Sequence, residues 1–370
     1  MTKAAKLKDF LSGSFIETSV ERVLSATGAI LPIVFETFQS SATGKRVDIR
    51  LEELPGFGMN VFSDGDGWLV LVPKGMALRL TALLRLLLPY YTDAEASPYY
   101  LNSPLDEFNE EMFWTPPSVA AIFEDYDSVE QLRRGLERTV FTRPLDPANY
   151  WCDIEGMVNI AILYVLMHEI AHITNGHFAL REGIERNFAL SDFNLSQDDA
   201  WRCLELDADQ SGTWNFVFLL ALEAVTPPFD DKAFTRLAMR AGFAVPALLG
   251  LWDHRKKTVG AFKKERYLPP TIRHRVFAEA ASLAVAKLMP ADHQRVWDAL
   301  ELDGWKRCVL AFHAVTFDLG TQDQPKEKLL WPLGSLVYGG LASNAVLSEI
   351  YSEEIDKLKR FRAWRKTLIL

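Results

Sequence analysis

The strongest constraint on this fold is a short segment, His168-Glu169-Ile170-Ala171-His172, that lies inside an apolar, helix-compatible run. Side chains four residues apart lie on the same face of an α-helix, so a helix brings both imidazoles within reach of a single ion. Two neutral histidines buried beside a glutamate are costly unless they share a partner. The spacing therefore predicts a buried helix whose histidines bind one metal ion.

The glutamate of this segment indicates what such an ion would do. Glu169 lies one step round the helix from His168, where its carboxylate can take a proton from a water bound to the ion. A purely structural metal site has no need of a general base. The segment therefore favours a hydrolytic zinc site, with His168 and His172 as ligands and Glu169 as the base.

A third ligand is expected downstream, because zinc in a hydrolytic site usually has three protein ligands and one open position. The segment 203–209 offers Glu205, Asp207 and Asp209. On a helix Glu205 and Asp209 share a face, whereas Asp207 points about 160° away and is expected at the solvent. This geometry favours Glu205 as the ligand, with Asp209 accepting a hydrogen bond from a ligand histidine. The two aspartates remain alternative third ligands.

His177 follows the metal helix closely, but its position argues against direct ligation. It lies five residues after His172, about 140° round the helix from it. We expect His177 to support a ligand or to cap a helix.

The residues from His168 to His172, the pair Gly176-His177 and the segment from Glu205 to Asp209 together resemble the HExxHxxxGH plus ExxAD arrangement of gluzincin metallopeptidases. The chain is most similar to the Lit-type phage-exclusion proteases, which add a Pro-Gly-Phe segment upstream. Pro55-Gly56-Phe57 stands in that place here. The resemblance implies a zinc-dependent endopeptidase that cuts a cytosolic protein. For Lit-like members the implied substrate is a translation elongation factor, cleaved during phage infection.

The same family carries an HPxxxxR segment downstream, and this chain matches it only in part. When the second proline of Pro269-Pro270 is aligned, Arg275 matches the family arginine, and Pro269 stands where the family has histidine. This match favours a position of Arg275 near the site, where it polarises a carbonyl or pairs with Asp209; an ordinary surface charge is the alternative. His274 or Tyr267 could substitute for the missing histidine.

Composition limits the class of protein. With 370 residues, 49% of them hydrophobic, the chain can bury a sizeable core as one large or two closely joined domains. Its net charge of −9 argues against a general nucleic-acid binder. Its three cysteines are odd in number and unclustered, which fits a reducing compartment.

The chain shows no signal for secretion or for membrane insertion. Its first residues have no apolar signal core. The longest apolar runs, 156–167 and 214–225, fall well short of the about 20 residues that span a bilayer. We therefore expect a cytoplasmic protein without a transmembrane segment.

Hydrophobic patterning predicts an α+β protein that is predominantly α-helical, with a zincin-like metalloprotease core. Strands are expected at 32–36, 46–51, 58–62 and 67–72, and a hairpin turn at 63–67. From Ala77 the pattern is helical, with breaks at Pro290 and Gly304. An irregular connection is expected over 92–118, and Ser196 is expected to cap the second ligand helix. The predicted regions are 1–75, N-terminal and β-containing; 76–290, the helical zinc-protease core; and 291–370, a C-terminal helical extension.

The last predicted helix, 342–366, ends in a basic run with Phe361 and Trp364 interleaved. A solvated helix face is the simplest interpretation. Contact with anionic lipid, RNA or an acidic partner is the other. The second class of function is accordingly a non-catalytic, zinc-containing interaction or regulatory protein that uses this basic helix.

Overall fold

The computed structural model describes residues 14–37, 45–91, 113–114, 118–139, 141, 147–224, 231–253, 268, 270–320, 329–330 and 345–369. Within these ranges the chain is predominantly helical and forms eleven α-helices. They are α1 (Ser14–Thr37), α2 (Lys74–Leu87), α3 (Val129–Leu136), α4 (Pro147–Thr174), α5 (His177–Glu185), α6 (Gln197–Ala224), α7 (Asp231–Asp253), α8 (Pro270–Leu288), α9 (His293–Asp298), α10 (Lys306–Gly320) and α11 (Ala345–Ile369). The prediction of a mostly helical α+β chain is confirmed.

A small sheet lies near the N-terminal end of the described chain. Its strands are β1 (Arg46–Glu52), β2 (Asn60–Asp64) and β3 (Gly67–Pro73), in the order β1-β3-β2. β1 runs parallel to β3, and β2 runs antiparallel to it. The β2–β3 turn is a two-residue hairpin in which Gly65 adopts φ +56°, a conformation that favours glycine. These three strands and their turn were predicted from the sequence.

The fourth predicted strand, 32–36, is wrong, because these residues belong to α1. The β-branched and aromatic residues of this segment favour a strand locally. In the fold, however, Leu24, Leu31 and Phe35 are buried at helical spacing. Packing on one helix face therefore decides the local structure.

Gly304 was predicted to end a helix, and the structure corrects this too. A π-helical segment, Ala299–Trp305, continues directly into α10. A Cβ at Gly304 would lie 2.6 Å from the Cα of Gly242 in α7. The glycine is thus explained by the close approach of two helices.

Most of the irregular connection predicted over 92–118 lies outside the described residues. Within it, β4 (Phe113–Trp114) pairs in parallel with β5 (Leu329–Leu330).

Two apolar clusters hold the helices together. The larger includes five buried leucines of α2, Leu78, Leu80, Leu83, Leu84 and Leu87. The smaller joins α5, α6, α8 and α11; its members include Leu180, Leu204, Ile272, Phe361 and Trp364. Helix α11 is therefore built into the same cluster as α6.

Two helices are long and apolar enough to cross a bilayer by length and composition alone, Asp153–Thr174 within α4 and Lys232–Trp252 within α7. The two longest apolar runs of the sequence, 156–167 and 214–225, are shorter than these helices. Within the fold, 78% and 72% of these apolar windows are buried, as in core helices.

Candidate metal centre

Helices α4 and α6 bring three metal-ligating side chains together. His168 and His172 lie one turn apart on α4, and Glu205 faces them from α6; all three are buried. The Nε2 atoms of the two histidines are 3.2 Å apart. Glu205 Oε2 lies 3.4 Å from His168 Nε2 and 3.6 Å from His172 Nε2. The three donors thus form a nearly equilateral triangle.

This triangle fits a tetrahedral zinc ion. Zinc–nitrogen and zinc–oxygen bonds of about 2.0–2.1 Å place neighbouring ligand atoms about 3.3–3.4 Å apart, because a tetrahedron's edge is about 1.63 times its centre-to-corner distance. The separations of 3.2, 3.4 and 3.6 Å bracket that value. Two imidazoles and one carboxylate are also a donor set of hydrolytic zinc sites.

The two ligand helices meet closely because a glycine faces the first histidine. A Cβ at Gly212 of α6 would lie 2.8 Å from the backbone nitrogen and Cα of His168. Gly212 was not predicted from the sequence. A glycine seven residues after a candidate ligand is one helical repeat further along the same face, which is the signal that could have identified it.

Glu169 lies on α4 beside the triangle and is only partly buried. Desolvation raises the pKa of its carboxyl group, against the opposing effects of His168 and His172. A carboxylate whose pKa lies above its usual range is a stronger base than an exposed one. The residue therefore combines access to solvent with the proton affinity that a general base needs.

The outward nitrogen of His168 faces a buried carboxylate. His168 Nδ1 lies 2.8 Å from Asp209 Oδ1. Arg273 of α8 donates two hydrogen bonds to the same carboxylate, at 2.8 and 2.7 Å. Burial alone would raise the pKa of Asp209, but the Arg273 guanidinium outweighs it and the pKa is lowered. Asp209 is therefore a carboxylate that fixes the His168 ring with Nε2 toward the triangle.

The arginine at Asp209 is Arg273, and the prediction that Arg275 pairs with Asp209 is wrong. The side chain of Arg275 is 50% exposed, pairs with Glu279 and lies over the Tyr351 ring. Residues two apart on a helix point about 200° apart, so only one of the two arginines can face α6. Matching the motif by its proline selected the wrong one.

His274 was the candidate replacement for the missing family histidine, and the structure places it elsewhere. Its ring is buried and stacks on Trp305, with centroids 5.1 Å apart. Its Nε2 lies 3.6 Å from Glu301 in the π-helical segment. His274 is next to Arg273 on α8, so it points about 100° away from the side that meets Asp209. Tyr267 and Pro269 lie outside the described residues.

The outward nitrogen of His172 faces a second histidine. Gly176, with φ +71°, follows the end of α4 and turns the chain so that His177 opens α5. His172 Nδ1 lies 2.9 Å from His177 Nδ1, and His177 Nε2 lies 3.0 Å from Asp207 Oδ2. Burial lowers the pKa of His177 to about 4. A neutral His177 can then accept from His172 Nδ1–H and donate its own Nε2–H to Asp207.

Asp207 was expected at the solvent, and that expectation is wrong. It is 1% exposed and accepts hydrogen bonds from Asn175, Arg362 and Arg365 as well as from His177. The helical wheel placed it correctly on the side of α6 away from Glu205. That side is covered by α5 and α11, which the wheel cannot show.

Comparisons of the chain with protein-family models, with curated proteins and with solved structures find no match. Function is therefore inferred from the geometry of the centre itself.

Proposed function

We propose that this protein is a zinc-dependent endopeptidase, with His168, His172 and Glu205 as the metal ligands. The observation that carries the proposal is the ligand triangle, with the spacing of a tetrahedral zinc site, beside the partly exposed Glu169. A structural zinc site would be closed by a fourth protein ligand and would need no base. Within the described residues, these three side chains are the one group of three or more candidate donors close enough to share an ion.

The chain's own residues supply the proton transfers of the proposed reaction. Bound there, zinc would supply Lewis-acid chemistry that lowers the pKa of water toward about 7. Glu169 accepts a proton as the water oxygen attacks the peptide carbonyl carbon. It then gives that proton to the leaving amine as the carbon–nitrogen bond breaks. The water is added across the peptide bond, and no covalent bond to the protein forms.

The proposed substrate is a cytosolic protein, and a translation factor is the specific candidate. Only the resemblance to Lit-type phage-exclusion proteases supports this part of the proposal. Metal chemistry and fold tolerate many substrates, so the site by itself does not select one.

The alternative, a non-catalytic protein that docks through its basic C-terminal helix, has less support. Phe361 and Trp364, the aromatic residues of that helix, are fully buried. Arg362 and Arg365 pair with Asp207 inside the protein. These four residues of the C-terminal helix are thus already in use within the fold.

The proposal is tested by comparing the wild type with Glu169→Gln, which keeps the shape of the side chain and removes its basicity. We expect both proteins to bind about one zinc per chain. We expect only the wild type to produce new protein termini when incubated with a cell lysate. Loss of the base should lower the cleavage rate by at least the ~10²–10⁴-fold that acid–base groups typically contribute.

Two further results would decide against the proposal. The metal centre is ruled out if the wild type, purified without chelator and then offered zinc, remains metal-free. Equal cleavage by the wild type and Glu169→Gln points to another base. His168→Ala is the control for the metal, since it should release the zinc.

A further inference from the structure

Two arginines of the C-terminal helix α11 reach the interior of the protein beside the metal centre. Arg362 Nε donates to Asp207 Oδ1 at 2.6 Å, and Arg365 donates to the other oxygen, Oδ2. Arg362 also donates to Gln210 Oε1 at 2.6 Å. Each oxygen of the buried Asp207 carboxylate therefore has its own arginine, which fixes the plane of the group.

The apolar face of α11 determines where these arginines lie. Phe361 and Trp364 are fully buried, and the Trp364 indole donates to the carbonyl of Phe188 at 2.9 Å. The Phe361 ring lies 6.5 Å from the ring of His177, measured between centroids. Because the two aromatic residues alternate with the two arginines along the helix, docking of α11 places both guanidinium groups on Asp207.

A continuous chain of polar contacts runs from these arginines to a proposed zinc ligand. Asp207 accepts from His177 at 3.0 Å, and His177 Nδ1 lies 2.9 Å from His172 Nδ1. With His172 Nε2 directed at the triangle, its Nδ1 must carry the proton that His177 accepts. The orientation of His172 thus depends on His177, which depends on Asp207.

The polar contacts of the other proposed ligand, His168, also lead to a buried carboxylate held by an arginine. His168 faces Asp209, and Arg273 of α8 holds Asp209 with two hydrogen bonds. Both ligand histidines are therefore oriented by a buried carboxylate that an arginine from a later helix fixes. On the His172 side, His177 is interposed between ligand and carboxylate.

We propose that α11 is a structural part of the metal centre, and that Arg362 and Arg365 are positioning residues that orient His172 through Asp207 and His177. This inference rests on the proposed function, because it concerns the metal that the triangle would hold. By thermodynamic linkage, bound zinc must also stabilise the docked position of α11, by the same factor by which docking strengthens zinc binding.

The experiment compares two variants of α11 that each remove cationic contacts from a carboxylate of α6. Arg362→Gln/Arg365→Gln releases Asp207. Lys357→Gln is the matched control, because Lys357 lies 3.0 Å from Asp199 on α6 and 2.7 Å from Glu354. Asp199 is eight residues from Asp207, about 12 Å along the helix, and has no contact with the ligand histidines.

The zinc dissociation constant is measured for each folded protein by competition with a chelator, and the melting temperature of each metal-free protein is measured alongside. We expect both variants to melt lower than the wild type. Only the double arginine variant should bind zinc about 10–100-fold more weakly, as other outer-shell changes do. Its cobalt-substituted form should also show an altered visible spectrum, because the imidazole of His172 is no longer held in place.

Unchanged zinc affinity in the double arginine variant would overturn this inference and leave the proposed function intact. A wild type that binds no zinc would instead overturn the proposed function itself. Hydrogen exchange of the wild type gives a second measurement that does not require the variants to fold. Zinc should slow exchange in α11, and equal exchange with and without zinc would also reject the coupling.

Discussion

Gly212 and His168 are in direct backbone contact. A Cβ at Gly212 would lie 2.8 Å from the nitrogen and Cα of His168, and the atoms it meets are main-chain atoms that cannot move aside. The distance between α4 and α6 at the ligand triangle is therefore set by the absence of a side chain at position 212. This makes one glycine a condition for the spacing of the three donors.

Gly212→Ala should force α4 and α6 apart at His168. We expect a loss of about 1–3 kcal/mol in the free energy of unfolding, the usual cost of overpacking, together with weaker zinc binding. Gly156→Ala is the matched control, since a Cβ there would meet only the side chain of Arg240, with Nη1 at 3.5 Å and Cζ at 3.9 Å. Urea unfolding and zinc titration of both proteins measure the two effects. Equal behaviour of the two variants would show that the contact at Gly212 is unimportant.

Arg273→Gln and Arg275→Gln should differ sharply although the residues are two apart on α8. Arg273→Gln leaves the buried Asp209 without its charge partner, which typically costs about 3–5 kcal/mol, and it should weaken zinc binding through His168. Arg275 is half exposed and pairs only with Glu279 and Tyr351 in the described contacts, so its change should stay within about 0.5 kcal/mol. Denaturant unfolding with and without zinc checks both. A larger effect of Arg275→Gln than of Arg273→Gln would instead support Arg275, the arginine matched by the motif, as the residue that serves the site.

The three acidic residues of α6 should respond to substitution in different ways. Glu205→Ala removes a proposed metal bond and should abolish tight zinc binding, whereas Asp209→Asn keeps the three donors and should weaken it about 10–100-fold. From the sequence alone, with Asp207 at the solvent, Asp207→Asn would be silent. In the structure it leaves Arg362 and Arg365 without their buried partner, so it should destabilise the metal-free protein. Zinc affinity and melting temperature separate the three cases. A silent Asp207→Asn would contradict the structure.

Asp199 should make stability depend on pH in acid. Burial alone would raise its pKa, but hydrogen bonds from Ser196 and the Lys357 ammonium outweigh it, and the pKa is lowered. A carboxyl group with a lowered pKa stabilises the fold at pH values above its pKa in the unfolded chain, about 3.9. This contribution is lost as the pH falls toward the pKa of the folded state. The difference in unfolding free energy between the wild type and Asp199→Asn should therefore shrink as the pH falls from 6 to about 2.5. A constant difference would show that Asp199 is not specially stabilised.

Features that lie within one helix or one turn could be predicted from the sequence. The spacing of His168 and His172 required a shared helix face, and the offset from Glu205 to Asp209 placed two carboxylates on one side of a second helix. The cap at Ser196, whose hydroxyl accepts from Asp199 N–H at 3.0 Å, followed from the capping pattern in the same way. Each of these inferences needs only the helical repeat and local hydrogen bonding.

Contacts between side chains of different helices could not be predicted from the sequence, because they depend on tertiary packing. Helical periodicity gives the direction of Asp207 but not the presence of α11 on that side, so a residue expected at the solvent is buried under two arginines. It gives the angle between Arg273 and Arg275 but not which of them faces Asp209. The reason is physical: contacts between distant segments depend on how whole helix faces pack, and that packing is a property of the assembled core, which no single window of the sequence contains.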